Sequence, residues 1–437
     1  MSDAQAARVE TAVERFTNWL ERFGEVSFDH QSFFAGDVGR RAKALYYRKP
    51  LLGMIAVAPM IFCEAFVPSV RRFFWQQRRF PIADAHYAMG FAFLAGMHSD
   101  DKYYRRAVHF LDVLQQTRCP NFSDYCWGYP FDWVTRNGTL REGTPMITTL
   151  PYVYEAFSAV YALNSDPRWL RIMQSIAKHG FEAYRDVETG PDASSCGYTP
   201  VPDDPCGVVN ASAYRAFLLT KAGIELSEPR YLERAQRNLN FVLASQNADG
   251  SWFYSTDGAR NFVDHFHTCF VLKALAKIEE LTPSPRTWGA IERGVRYYVE
   301  NLVDADGLPL PFSKRPRMTV YKRELYDYAE SINLAVLLSG RLEQLDKVLS
   351  NVVTDLLTRW QKSDGSFRAR ELFVGWDNVP MHRWAQSQMF RSLCFLLSRL
   401  SARSRRNLHH RSECGLVGMP TEFDTEGWVS GLNRRSS

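Results

Sequence analysis

The 437-residue sequence has no long, uninterrupted apolar run. Its most apolar stretch, residues 51–67, is interrupted by Pro59 and Glu64 and is shorter than the roughly 20 residues that a membrane-spanning helix needs. Acidic residues are spread through the first 23 positions, so these positions lack the apolar region of a secretion signal. These absences predict a cytoplasmic protein whose membrane contact, where there is any, is peripheral.

Motifs for metals, phosphates and nucleic acids are also scarce. The eight cysteines include no CxxC pair, which indicates reduced thiols. His265 and Cys269 are spaced to share one face of a helix, but no second pair at zinc-ligand spacing accompanies them, and we predict no metal and no cofactor. There is no glycine-rich phosphate loop. The net charge of +5 is small and forms no basic stripe, so we expect no nucleic-acid partner.

Aromatic residues and an internal repeat are what the sequence does contain. Phe, Trp and Tyr make up 14% of the chain, enough for a large core and for a surface that stacks on sugar rings. Similar turns occur at Asp249-Gly250, Asp306-Gly307 and Asp364-Gly365, about 60 residues apart. Regular spacing of this kind indicates a repeated structural unit.

Each turn separates an amphipathic segment from a more apolar one. The amphipathic segments predict outer helices, and the apolar segments, which begin near residues 84, 148, 210, 264, 327 and 383, predict inner helices. Six such hairpins form a closed ring because closure covers every apolar helix. We therefore predict an all-α fold, an (α/α)6 toroid of about twelve antiparallel helices, in which the region 51–76 is the outer partner of the first inner helix.

The ends of the chain differ from this repeat. We predict three regions: an N-terminal helical extension at residues 1–40, the toroid at 41–400, and a basic, disordered tail at 401–437.

All inner helices of such a ring run the same way, so their N-terminal turns meet at one mouth. Carboxylates and imidazoles there could supply the acid and the base that glycosidic or uronic-acid chemistry needs. The predicted catalytic residues are Asp132, Asp264, His267 and Asp327. The predicted substrate-binding residues are Trp127, Tyr129, Trp133, Asn210, Trp252, Tyr254, His265, Glu330, Arg383, Trp384 and Gln386.

Each of these residues also has a purely structural interpretation. Asn210, Asp264 and Asp327 stand at helix starts, where such side chains cap free amide groups. His267 could donate to backbone in the same way. Arg383 suits a sugar carboxylate, but an ion pair with Asp377 or Asp327 would explain it equally well.

Several stretches of the sequence resemble VpsJ-like polysaccharide-biosynthesis proteins, within the six-hairpin toroid group. They are Cys126-Trp-Gly-Tyr-Pro-Phe-Asp-Trp133, Asp249-Gly-Ser-Trp-Phe-Tyr254, Val263-Asp-His-Phe-His-Thr268 and Met381-His-Arg-Trp-Ala-Gln386. The resemblance covers roughly residues 80–400. It implies an (α/α) toroid that makes or modifies extracellular or capsular polysaccharide, and it assigns no catalytic residue. His265 and Cys269 stand where the pattern favours Asn and Gly.

Three functions follow from these observations. The first is an enzyme that acts on an oligosaccharide or a lipid-linked glycan by hydrolysis, elimination or epimerisation. The second is a terpenoid or prenyl-handling toroid, although the sequence has no Asp-x-Asp-Asp run. The third is a non-catalytic glycan-binding scaffold. In each case, peripheral contact with a membrane-bound polysaccharide synthesis complex is an accompanying prediction.

Overall fold

The computed structural model describes residues 3–98, 100–316 and 318–415, with side chains through residue 403. Residues 1–398 form one compact unit, which contains every feature discussed below, and a second unit begins at Arg399. The described residues form fifteen α-helices: α1 (Asp3–Phe23), α2 (Ser32–Ala35), α3 (Asp37–Arg48), α4 (Pro50–Phe66), α5 (Pro81–Met97), α6 (Asp101–Gln116), α7 (Leu150–Asn164), α8 (Pro167–Glu182), α9 (Val209–Glu225), α10 (Pro229–Ala244), α11 (His265–Leu281), α12 (Pro285–Asn301), α13 (Leu325–Leu337), α14 (Gln344–Asp355) and α15 (Ser387–Gly415).

Six helices form the inner ring. They are α5, α7, α9, α11, α13 and α15. The first five contact one another in this order, and Asn333 of α13 donates to Ser392 of α15 at 2.8 Å. The irregular helical segment His382–Gln386, which leads into α15, contacts both α13 and α5 and so closes the ring. Gly90 of α5 makes this closure tight, because a Cβ there would lie 2.5 Å from the Phe390 ring. The predicted (α/α)6 toroid is confirmed.

The outer helices bury only one face. In α8, for example, the buried residues Trp169, Ile172, Met173 and Ile176 recur at helical spacing, and the residues between them face solvent. By contrast, α9 is buried along nearly its whole length. Five of the outer helices, α6, α8, α10, α12 and α14, follow their inner partners along the chain.

The sixth outer helix is α1, which corrects our assignment of residues 51–76 to that place. Gln246 follows α10 and donates to the backbone oxygen of Ala290 in α12, at 2.9 Å. Gln361 follows α14 and donates in the same way to Ala12 in α1, also at 2.9 Å. Phe16 of α1 stacks on Phe390 of α15. The first helix of the chain therefore completes the ring.

Residues 51–76 instead contain most of α4, which packs against α3 in a separate helical hairpin, and a short 3₁₀ helix, Pro68–Phe73. Gly53 allows the two helices to touch, because a Cβ at this position would lie 2.0 Å from the Cα of Tyr46. Phe33, Ala42 and Met60 form a small core beneath the hairpin. Much of α4 remains exposed: only Gly53 and Met60 in it are buried.

Nine short strands lie in the loops between hairpins, and all pair antiparallel: β1 (Trp133–Thr135) with β2 (Gly138–Leu140), β3 (Asp186–Gly190) with β4 (Ala193–Cys196), β5 (Val263–Asp264) with β6 (Phe312–Lys314), and β7 (Tyr321–Glu324) with β8 (Arg370–Leu372) and β9 (Trp376–Asp377). Because β5 and β7 run directly into α11 and α13, these loops surround the N-terminal mouth of the ring.

The C-terminal segment differs from its prediction where it is described. Helix α15 continues through residues 401–415, which we predicted to be disordered, and the Arg and Leu residues in this stretch are good helix formers. The rest of the predicted tail, residues 416–437, lies outside the described residues.

Candidate active site

A carboxylate and an imidazole form a pair at the mouth of the ring. Asp264 ends β5 and caps α11, where its Oδ1 accepts the backbone N–H of His267 at 2.9 Å. Its Oδ2 lies 2.7 Å from His267 Nδ1. Because a carboxylate can only accept, Nδ1 carries the proton and Nε2 is left with its lone pair. Asp264 therefore caps α11 and holds the His267 ring with the same carboxylate.

His267 lies at the edge of an aromatic cleft. Its side chain is 21% exposed, and its ring packs edge-on against Tyr254 and Phe270, with centroids 4.7 and 5.6 Å away. Asn210 lines the same cleft, and its buried Oδ1 has no hydrogen-bond donor among the described residues. The cleft has a volume of about 10 Å³, roughly enough for one water molecule. An imidazole and an amide oxygen are thus available to a hydroxyl-bearing ligand at this edge.

A second carboxyl and imidazole pair, Asp327 with His265, is completely buried. His265 Nδ1 lies 3.3 Å from Asp327 Oδ1, although no hydrogen bond of good geometry reaches either oxygen of Asp327 from the described residues. Burial, together with the charges of neighbouring carboxylates, raises the pKa of Asp327 well above its ordinary value. Burial lowers the pKa of His265 to about 3. His265 is therefore neutral near pH 7, and burial favours the neutral form of Asp327.

The interior of the ring beyond this pair is polar. Glu330 on α13 forms a buried ion pair with Lys273 on α11. Lys273 also donates to the hydroxyl of Tyr152 at 3.4 Å, and Tyr152 in turn shares a 2.6 Å hydrogen bond with Tyr214. Burial opposes ionisation of Lys273, but Glu330 outweighs it and the lysine pKa is raised. Glu330, which we predicted to bind substrate, is held in this network inside the ring.

Arg383 is engaged by Asp29, not by either carboxylate that we considered. Its Nε and Nη2 donate to the two oxygens of Asp29 at 2.9 and 2.6 Å. Burial opposes ionisation of Asp29, but Arg383 and His30 outweigh it and hold the Asp29 pKa well below its usual range. The guanidinium also lies 4.6 Å from the centre of the Tyr129 ring. Arg383 thus joins the segment after α1 to the mouth of the ring.

A series of aromatic rings extends from the Arg383–Asp29 ion pair towards His267. Trp384 stacks on Tyr326 at 4.3 Å, and Phe266 packs edge-on against both rings. The indole N–H of Trp384 donates to Glu324 at 2.6 Å. Tyr129 and Trp133 contact each other on the side of Arg383. All these rings except that of Tyr326 are partly exposed, so the mouth offers a stacking surface of the kind that we predicted.

Three predicted substrate-binding residues have structural roles instead. Trp127 and Trp252 are buried, and their indole N–H groups donate to backbone oxygens of the outer helices at 2.8 and 2.9 Å. Gln386 is fully buried and bonds both ways with the backbone of Phe367. The turns after the outer helices therefore direct both indoles towards those helices, although Trp252 also lines the cleft.

Asp132 does not fit the role of proton donor or base that we predicted. It pairs with Arg40 of α3 and with Arg141, and it also accepts the backbone N–H of Glu142 at 2.9 Å. Partial burial opposes ionisation, but the Glu142 amide and the two arginines outweigh it and lower the Asp132 pKa. The carboxylate is therefore committed to fastening the α3–α4 hairpin to β1.

Sequence reasoning missed the residues that complete these contacts. Asp29 and His30 lie in the irregular stretch before α2, more than 350 positions from Arg383. Lys273 stands on the apolar face of α11, nine positions after Asp264, where a charge without a partner would be costly. A lysine at such a position is a signal of a buried acidic partner.

The comparisons with known proteins agree on the fold. No protein-family model and no curated protein matches the sequence. Among solved structures, an unsaturated glucuronyl hydrolase specific for heparin matches with a TM-score of 0.61 at 10% identity, over 93% of this chain and 99% of that one. A cellobiose 2-epimerase from Bacillus thermoamylovorans matches with a TM-score of 0.58 at 9% identity, over 74% and 88%. A D-mannose isomerase matches with a TM-score of 0.55 at 14% identity, over 73% and 87%.

These structures share the (α/α)6 toroid. At identities this low the likeness establishes the fold of the chain, and its chemistry must be argued from its own residues.

Proposed function

We propose that the protein is a carbohydrate-active enzyme in which His267 transfers a proton and Asp264 orients it. The observation that carries this proposal is the Asp264–His267 pair at 2.7 Å, partly exposed beside an aromatic cleft. Asp264 fixes the tautomer and stabilises the imidazolium that forms when Nε2 accepts a proton. The similar structures whose names include an epimerase, an isomerase and a hydrolase of sugars support the substrate class.

The geometry favours proton transfer at carbon over hydrolysis. A glycosidase of the usual kind needs two carboxyl groups facing the scissile bond. Asp132 is held by two arginines, and Asp327 is completely buried. A single accessible imidazole instead suits removal of a hydrogen next to a sugar carbonyl or carboxylate. That step is common to epimerisation and isomerisation, in which a proton returns to carbon, and to elimination, in which the oxygen on the next carbon leaves with its bonding electron pair and takes up a proton.

Asp327 then has a supporting role in this proposal. Burial favours its neutral form and it lies beside neutral His265, so it adds little negative charge near the Asp264–His267 pair. The sugar rings stack on Trp133, Tyr254, Phe266 and Trp384. A sugar hydroxyl donates to Asn210. A place in extracellular or capsular polysaccharide synthesis, and a lipid-linked glycan as substrate, remain part of the proposal on the strength of the sequence resemblance alone.

The test is hydrogen exchange at sugar carbons. The protein would be incubated in D2O with reducing disaccharides and with uronate-containing oligosaccharides, and proton NMR would follow exchange, epimers and unsaturated products. We expect His267→Gln to slow exchange about 10³-fold. His109→Gln is the matched control, because His109 also pairs with a carboxylate, Glu25, but on the outer surface.

Two results would overturn the proposal. Equal exchange rates in His267→Gln and wild type would remove His267 from the chemistry. If no sugar exchanges or reacts, while calorimetry detects glycan binding that survives His267→Gln, the scaffold interpretation replaces the enzyme.

A further inference from the structure

The α3–α4 hairpin carries the largest group of exposed apolar side chains on the described surface. Helix α4 is apolar on all sides, and its Leu51, Ile55 and Phe62 are 76%, 73% and 60% exposed. Leu52, Met54 and Phe66 on the same helix are also exposed. Single exposed apolar residues are ordinary, but a continuous row along a helix marks an interaction surface.

Positive charge surrounds this apolar row. Residues 37–78 contain eight Arg or Lys residues and two acidic residues, Glu64 and Asp37, of which Asp37 pairs with Arg40. Arg41, Arg48, Lys49 and Arg72 are exposed, and no carboxylate among the described residues pairs with them. Glu64 is turned inward, where it pairs with Arg370 at 2.6 Å. The outer face of the hairpin is therefore apolar with an unopposed basic rim.

We propose that the hairpin inserts α4 into the interface of an anionic membrane. An all-apolar helix with flanking arginines and lysines fits a bilayer surface, where the apolar side chains enter the acyl boundary and the cations meet lipid phosphates. A second copy of the chain fits less well. A two-fold contact would place identical basic rims against each other. Among the described residues, no helix has both the length and the apolar character to cross a bilayer, so the contact is with one surface.

The hairpin is fixed firmly enough to orient the protein on that surface. Arg71, at its base, is fully buried and donates to Asp377 of β9 at 2.6 Å. Arg370, the partner of Glu64, also donates to Glu324, which accepts the indole N–H of Trp384. The membrane contact and the aromatic mouth are thus joined through two buried side chains. This inference does not depend on the reaction at His267.

The experiment is vesicle co-sedimentation of the purified full-length chain. Vesicles of phosphatidylcholine mixed with an equal part of phosphatidylglycerol are compared with vesicles of phosphatidylcholine alone. We expect binding to the mixed vesicles, reduced at least roughly tenfold by the triple variant Leu51→Glu, Ile55→Glu and Phe62→Glu. Replacing Arg41, Arg48, Lys49 and Arg72 by Gln should remove the preference for phosphatidylglycerol.

The control variant also carries three glutamate substitutions, at another part of the surface. Leu163, Ile224 and Leu281 are 36–42% exposed at the C-terminal ends of inner helices, far along the ring axis from the mouth. Their triple replacement by Glu should leave vesicle binding unchanged, and thermal melts would verify that all variants fold. The proposal fails if wild type sediments with neither vesicle, or if the Leu51, Ile55 and Phe62 variant binds like wild type. It also fails if sedimentation equilibrium shows a dimer that this variant abolishes, because a second copy then covers the helix.

Discussion

Two carboxyl–imidazole pairs include histidines that are two positions apart at the start of α11, and the pairs differ in almost every physical property. Asp264 and His267 lie 2.7 Å apart at the edge of a cleft, with the imidazole partly exposed. Asp327 and His265 lie 3.3 Å apart, and both side chains are completely buried. The same two residue types thus take part in a proposed proton transfer at one pair and are buried structural groups at the other. Burial, and not residue type, makes the difference.

The largest expected effect is on activity at the exposed pair. Asp264→Asn keeps the shape of the cap but offers Nδ1 an amide in place of a carboxylate, so the imidazole loses its orienting charge. We expect turnover with the substrate identified by NMR to fall by about 10²- to 10⁴-fold. Turnover and melting temperature would both be measured for this variant. If turnover falls only because the variant is unfolded, the result counts against an orienting role for Asp264.

The next effect is on stability at the buried pair. His265→Ala would leave a cavity and remove the hydrogen-bonding partner of Tyr298 and Ser331, which lie 3.1 and 3.2 Å from Nε2. We expect the free energy of unfolding to fall by about 3 kcal/mol. Denaturant unfolding would measure it, with His109→Ala on the outer surface as control. Equal losses in both variants would contradict the contrast between buried and exposed imidazoles.

The buried imidazole should also be visible in the pH dependence of stability. Its pKa is lowered from 6.5 to about 3, so below pH 6.5 the unfolded chain binds a proton that the folded chain does not. Stability therefore falls as the pH drops from 6.5 towards 3, with up to about 1.4 kcal/mol per pH unit from this group. His265→Gln should make the slope shallower by that amount. An unchanged slope would mean that His265 is charged in the folded protein.

The smallest effect is expected from Asp327→Asn. Because burial raises the pKa of Asp327 and favours its neutral form, an uncharged amide of the same shape should change the free energy of unfolding by no more than about 1 kcal/mol. Turnover should stay within about threefold of wild type. A loss of turnover as large as that of Asp264→Asn, without loss of stability, would restore Asp327 as a catalytic acid.

The sequence was informative where a pattern is local. The Asp-Gly turns and the apolar helices between them predicted the ring, and the cap position of Asp264 predicted its bond to the His267 amide. Pairings across the ring were not predictable. Arg383 was predicted to bind substrate, with an ion pair to Asp377 or Asp327 as the alternative. Helical repetition brings those carboxylates to the mouth, whereas Asp29 lies there because α1 completes the ring. Trp127 and Trp252 misled for a related reason: an aromatic in a mouth loop can face either the ligand or the helix behind it.

The position of α1 has a consequence for how the protein is made. Its hydrogen bond from Gln361 joins residues 349 positions apart, so α1 cannot bury Phe16 against Phe390 until the α14 and α15 segments have been synthesised. Contacts of such long sequence separation form slowly and leave apolar surface uncovered in the meantime. The apolar face of α1 is therefore exposed during synthesis for as long as its partners are missing.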